Sequence, residues 1–117
     1  MSKIKIKVTL NTNNVNESQE YSAIFQPKDQ IIIYQEEDKT ITKIYLTEPK
    51  LRRENEKLWM ELIFSESKIT EAKVKVKDLN KVLMLELKTL KVIKDKENIE
   101  IDYQLENEEY KYKLEVL

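Results

Sequence analysis

Apolar and polar residues alternate along most of this chain with a period of two. Ile4, Ile6, Val8 and Leu10 interleave with Lys3, Lys5, Lys7 and Thr9. Ala72, Val74 and Val76 interleave with Lys73, Lys75 and Lys77, and Leu83, Leu85 and Leu87 are separated by Met84 and Glu86. Ile99, Ile101, Tyr103 and Leu105 alternate with Glu100, Asp102 and Gln104. Tyr110, Tyr112, Leu114 and Val116 alternate with Lys111, Lys113 and Glu115. That period sends successive side chains to opposite faces of a strand. Each run therefore predicts a half-buried antiparallel strand, with one dry face and one Lys/Glu ladder that solvent accounts for.

Turn signals separate the runs at hairpin spacing: Asn13-Asn14, Glu37-Asp38, Glu54-Asn55, Asp78-Leu79-Asn80, Asp95-Lys96 and Glu106-Asn107. Tight hairpins want positive φ, which Gly normally supplies. The chain has no Gly, so Asn and Asp are expected to take that role. Asn16 to Phe25 could hold a helical turn, although Glu20 to Phe25 reads equally well as strand. The expectation is one domain over residues 1–117: an all-β antiparallel meander of about eight to ten strands closing into a barrel.

From Ile31 to Phe64 both faces carry apolar residues. Ile44, Leu46, Leu58, Met60, Leu62 and Phe64 can form one face; Ile41, Tyr45, Trp59 and Ile63 then lie on the other. A strand apolar on both faces wants cover on both. Those four residues are the candidate partner surface, and a second copy of the chain is the simplest partner. The competing expectation is a register shifted by one, with Trp59 in the core.

Composition narrows the chemistry. The apolar set holds 13 Ile, 13 Leu, 7 Val and 6 Tyr but two Ala, which is strand chemistry. Lys, Asn and Ile supply 40 of 117 residues, the signature of AT-rich codons, and this explains the missing Gly without a structural cause. Cys and His are also absent, which excludes disulfides, thiolate nucleophiles, imidazole general bases and His-ligated zinc. The lack of Gly excludes the usual phosphate and dinucleotide loops. No metal or cofactor is expected.

Charge is nearly balanced, at a formal −1. Residues 66–96 carry nine Lys against five acids, and residues 97–117 carry seven acids against two Lys. Neighbouring basic and acidic strands would neutralise each other. The Lys-rich segment has no aromatic interleaved with it, so nucleic acid is not an expected partner. No run approaches the roughly 18 apolar residues of a membrane-spanning helix. Lys alternates through Met1-Ser2-Lys3-Ile4-Lys5, unlike a signal peptide, and the expectation is a cytoplasmic protein.

The order of elements then becomes familiar. A strand ends in Tyr34-Gln35-Glu36, and a strand with Thr42, Ile44 and Leu46 follows. Next come Leu51 and Arg53, a run closing at Phe64, then Thr89-Leu90, Ile99 to Leu105 and a Tyr-rich last strand. Over most of its length, and best from Ile31 onward, the chain resembles the YwiB-like family of small uncharacterised proteins from low-GC Gram-positive bacteria. The resemblance implies a calycin, or lipocalin-like, β-barrel and carries no established activity. Asn55 and Asn80 stand where the family pattern has Gly, so both are expected to have positive φ. Lys75 and Lys77 replace a Tyr-rich stretch.

Glu36 with Arg53 is the sharpest candidate pair. Arg is scarce here, at two against nineteen Lys, and its planar fork can grip a carboxylate or phosphate as Lys cannot. The structural reading, which has the greater weight, is that Arg53 pairs with Glu36 or caps carbonyls at the closed end of the barrel. The candidate ligand-binding set is Tyr34, Glu36, Arg53, Thr89 and Tyr103, with no catalytic residue assigned. Several Tyr on inward faces imply a polar or wet interior, because a phenol without a partner is costly in a dry one. The leading expectation is a non-enzymatic module that binds a small ligand inside the barrel or a partner protein outside it. The alternative is a catalytic barrel acting on a small anionic substrate, with Arg53 as anchor and Glu36 as acid or base.

Overall fold

The computed structural model describes residues 2–117. Ten strands follow one another: β1 (Ser2–Thr12), β2 (Val15–Gln26), β3 (Ile31–Gln35), β4 (Ile41–Tyr45), β5 (Lys50–Glu54), β6 (Leu58–Ile63), β7 (Ile69–Val76), β8 (Lys81–Asp95), β9 (Asn98–Leu105) and β10 (Glu108–Val116). A single 3-10 turn, Lys77–Leu79, joins β7 to β8. Every strand pairs antiparallel with its sequence neighbours, and β1 pairs with β10 to close the barrel. The segment open to a helical reading, Asn16 to Phe25, is strand throughout.

The alternation sorts as the pattern predicted. Ile32, Ile44, Leu51, Leu62 and Ala72 share one inward row across five strands, set by the registers Ile32↔Ile44, Ile44↔Leu51, Leu51↔Leu62 and Leu62↔Ala72. With Ile6, Leu46, Phe64, Leu87, Ile99, Ile101 and Leu114 they form a continuous buried core. Each fully buried aliphatic among them contributes about 1.5–3 kcal/mol relative to exposure. The acidic and basic segments do meet: Asp102 on β9 lies between Lys91 and Lys111, and Glu100 faces Lys113.

Nine described residues take positive φ: Asn13, Asn14, Gln30, Lys39, Ser67, Asn80, Lys96, Glu106 and Asn107. Four are Asn and none is Asp, so the expectation that Asp would serve is corrected. Lys, Gln, Ser and Glu fill the other places, because strand twist fixes the turn's handedness and the chain has no Gly to offer. Asn80 conforms, at φ 46°. Asn55 does not. Its side chain instead accepts hydrogen bonds from the amides of Lys57 (2.8 Å) and Leu58 (2.9 Å), the other way in which Asn makes a turn.

The walls differ in height. Strands β3 to β6 have five or six residues, whereas β1, β2 and β8 have 11, 12 and 15. Strand β2 pairs with β3 only from Ala23 to Gln26, so Val15 to Ser22 are bonded to β1 alone. A gap is left between the upper part of β2 and the β3–β4 turn. This gap is the mouth of the interior.

Candidate functional site

Inward side chains fill the lower half of the barrel but not the upper. Tyr34, Thr42, Arg53 and Met60 are successive cross-strand neighbours, forming the row above the aliphatic core. Glu36 lies two residues beyond Tyr34 and therefore projects from the same face. Its Oε1 accepts from Arg53 Nη2 (2.9 Å), and its Oε2 accepts from Arg53 Nε (3.0 Å) and from the buried Thr42 hydroxyl (2.6 Å). The guanidinium fork thus grips its own carboxylate with two parallel bonds, the strongest geometry available to the pair.

From this row, and reaching down to Leu51 and Leu62 of the row beneath, opens a cavity of about 630 Å³, within the range of small-molecule sites. Val8, Leu10, Leu51, Met60 and Leu62 give it aliphatic walls. Tyr21, Tyr34, Tyr103 and Tyr112 line it too, and Glu17, Ser18, Gln19, Glu36, Glu37 and Asp38 ring the mouth. Gln19 Nε2 donates to Glu37 Oε1 (3.0 Å) across the gap between β2 and the β3–β4 turn.

The tyrosines are held by one another. Tyr34 and Tyr112 share a buried hydroxyl–hydroxyl hydrogen bond of 2.8 Å. Tyr21 stacks on Tyr34 at 5.0 Å, and Tyr103 packs between Phe64 (5.1 Å) and Tyr110 (5.2 Å). Burial raises the pKa of Tyr34, Tyr103 and Tyr112, so all three stay neutral. Burial and then the carboxylates of Glu36 and Glu37 also raise Tyr21. At Asp38 the order is reversed: hydrogen bonds from the Thr40 side chain and amide lower its pKa. Tyr103 is 7% exposed, and no described residue hydrogen-bonds its hydroxyl.

Four of the five candidate residues, Tyr34, Glu36, Arg53 and Tyr103, therefore meet in one cavity. Thr89 does not line it. It is fully buried, its hydroxyl accepts from the Ser65 amide (3.1 Å), and its backbone ties down the β6–β7 connection through Ser67 and Lys68. Sequence reasoning missed Glu17, Gln19, Glu37 and Asp38 as mouth residues. Tyr21 and Tyr112 also line the cavity without having been candidates, though the inward parity of each was readable.

The candidate partner surface lies outside, in the expected register. Ile41 and Ile63 are exposed, while Tyr45 and Trp59 are half-buried. Strand β5 runs a charged rib through the patch, with Glu54 between Ile41 and Trp59, and Lys50 between Tyr45 and Ile63. Lys50 Nζ sits 4.2 Å from the Tyr45 ring centroid, and Arg52 donates to the Tyr45 hydroxyl (3.2 Å) while bonding Glu61 (2.6 Å). No group of three or more metal-ligating side chains occurs among the described residues.

A crystal structure of the ywiB protein from Bacillus subtilis is similar to this chain, with a TM-score of 0.60 over 98% of this chain and 93% of that one. The fold is YwiB-like. Sequence identity with the Bacillus protein is 17%, so the YwiB likeness speaks of architecture alone. No family model matches the chain, and no curated protein matches it in sequence.

Proposed function

We propose that this protein is a non-enzymatic binding module of the lipocalin-like (calycin) kind, holding one small molecule in the upper half of its barrel. The observation that carries the reading is the cavity itself: about 630 Å³, aliphatic below and hydrogen-bonding above, with the Tyr103 hydroxyl unpartnered on its wall. A barrel of this size either fills its interior with side chains or keeps room for one small ligand. Catalysis is the weaker reading. Three hydrogen bonds occupy the Glu36 carboxylate, and Arg53 spends its fork on that same group. A general base needs a lone pair aimed at the substrate, and these three bonds leave Glu36 about one of four.

Binding of a neutral apolar dye, N-phenylnaphthylamine, tests the reading by fluorescence. Wild type should bind one dye per chain. Met60→Trp places a larger side chain on the cavity wall and should abolish binding while the circular dichroism spectrum is kept. Equal dye affinity in a folded Met60→Trp variant would move the site elsewhere and defeat the proposal.

A further inference from the structure

The cavity wall carries more information than its volume. The lone Arg suggests an anionic ligand until its neighbours are counted. Glu17, Glu36, Glu37 and Asp38 line the cavity against the single cation Arg53, although the chain as a whole is almost neutral. Arg53 and Glu36 cancel in a bidentate pair. Three carboxylates remain, all at the mouth: Glu17 on the inner face of β2 opposite Leu10, and Glu37 and Asp38 in the β3–β4 turn. Lys39, the nearest base in sequence, lines a different depression on the outer surface with Ile41 and Trp59.

The mouth carboxylates are positioned with acceptor capacity to spare. Glu37 takes one bond from Gln19, and Asp38 is held by the Thr40 side chain and by its amide, which donates to Oδ1 (3.1 Å). An ionised carboxylate offers about four lone-pair sites, so each can still accept from a ligand. Deeper in, Tyr103 is more than nine-tenths buried, yet its hydroxyl has no protein partner and is not sealed off, so it is free to bond a polar guest in the cavity. Between mouth and floor the wall is aliphatic: Val8, Leu10, Leu51, Met60 and Leu62.

Resting on the reading that the cavity binds a small molecule, we infer that its ligand is an organic cation: an amine whose ammonium group sits among Glu17, Glu37 and Asp38 and whose aliphatic body lies along the inner wall. A carboxylate of the same length meets three like charges at the entrance. Inside, it finds the only lining guanidinium already engaged.

Calorimetry with three probes of one chain length, hexylammonium, hexanol and hexanoate, tests the inference on the full chain. At about 0.01 M salt hexylammonium should bind at least about tenfold more tightly than hexanoate, with hexanol between them, and the gap should shrink toward about 1 M salt. The double variant Glu17→Gln, Glu37→Gln should lose most of the preference while still binding hexanol and the neutral dye. Equal affinity for all three probes, or tighter hexanoate, would overturn the charge assignment and leave the binding reading standing. Dye binding with no hexylammonium binding would overturn it as well. Failure of the dye together with all three probes would remove both.

Discussion

High pH should unfold this barrel through its tyrosines. Tyr34, Tyr103 and Tyr112 are at most 7% exposed, and burial raises all three above the ordinary tyrosine pKa of 10.0. In the unfolded chain they ionise near that ordinary value. Above pH 10 the unfolded state therefore holds fewer protons than the folded one, and stability falls as pH rises; below pH 10 their contribution is fully present. Each protected tyrosine costs about 1.4 kcal/mol per pH unit, so the three together cost about 4 kcal/mol at pH 11 and about 8 kcal/mol at pH 12. A domain stable by about 5–15 kcal/mol should lose its fold within a few units of pH 10. The assay follows near-ultraviolet tyrosinate absorbance and strand circular dichroism on the same samples. Half of the six tyrosines should ionise only as the strand signal disappears. Replacing Tyr34 and Tyr112 together by Phe should cut the dependence to about 1.4 kcal/mol per unit. It should also cost less at neutral pH than either single change, which strands a hydroxyl at about 1–3 kcal/mol. Full tyrosinate absorbance with an intact strand signal would refute the reasoning, because water would then reach and ionise these rings in place.

Two turn asparagines should respond to Gly in opposite directions. Asn80→Gly, at φ 46°, should be neutral or stabilising by a few tenths to about 1 kcal/mol in urea unfolding, and Lys39→Gly and Lys96→Gly should gain more because Lys tolerates that region less well. Asn55→Gly should destabilise by about 1–2 kcal/mol, having lost the acceptor of two amides and the donor to the Thr40 hydroxyl. Trp59→Glu should fold with a loss within about 1 kcal/mol, since Trp59 lies on the outer face. Light scattering should find wild type and variant alike monomeric, given the charged rib of Lys50, Arg52 and Glu54 through the patch.

What the sequence could reveal followed from parity. Alternation grouped Ile44, Leu46, Leu58, Met60, Leu62 and Phe64 on one face and Ile41, Tyr45, Trp59 and Ile63 on the other, with the register open. The structure turns the first face inward, although Leu58, at the start of β6, is exposed. Alternation also put Glu36 and Arg53 on the face where they meet. Parity says nothing of height along the barrel. Thr89 faces inward as Tyr103 does, yet it binds the β6–β7 connection and takes no part in the cavity. Glu17 and Gln19 became mouth residues because β2 outruns β3, a mismatch of strand lengths that no local pattern records. Turn handedness was hidden for a related reason. Twist demands it at Gln30, Lys39 and Lys96 whatever residue stands there. At Asn55 the same residue type could serve by backbone or by side chain, and spacing does not choose between them.

The sequential strand order also dictates how the chain must assemble. Nine of the ten strand pairings join immediate sequence neighbours, hairpins that zip up locally and fast. The tenth, β1 with β10, spans nearly the whole chain and must close the largest loop. Until β1 and β10 pair, each has one naked edge, and naked edges invite intermolecular pairing. Of those two edges, β1 carries Lys3, Lys5 and Lys7, whereas β10 sets Glu108, Glu109 and Glu115 against Lys111 and Lys113. In the finished barrel these lysines are an unremarkable wet face. During folding the three on β1 are like charges that the β1 edge of a second molecule must approach, so the ladder guards that edge against its own copy in the interval before closure.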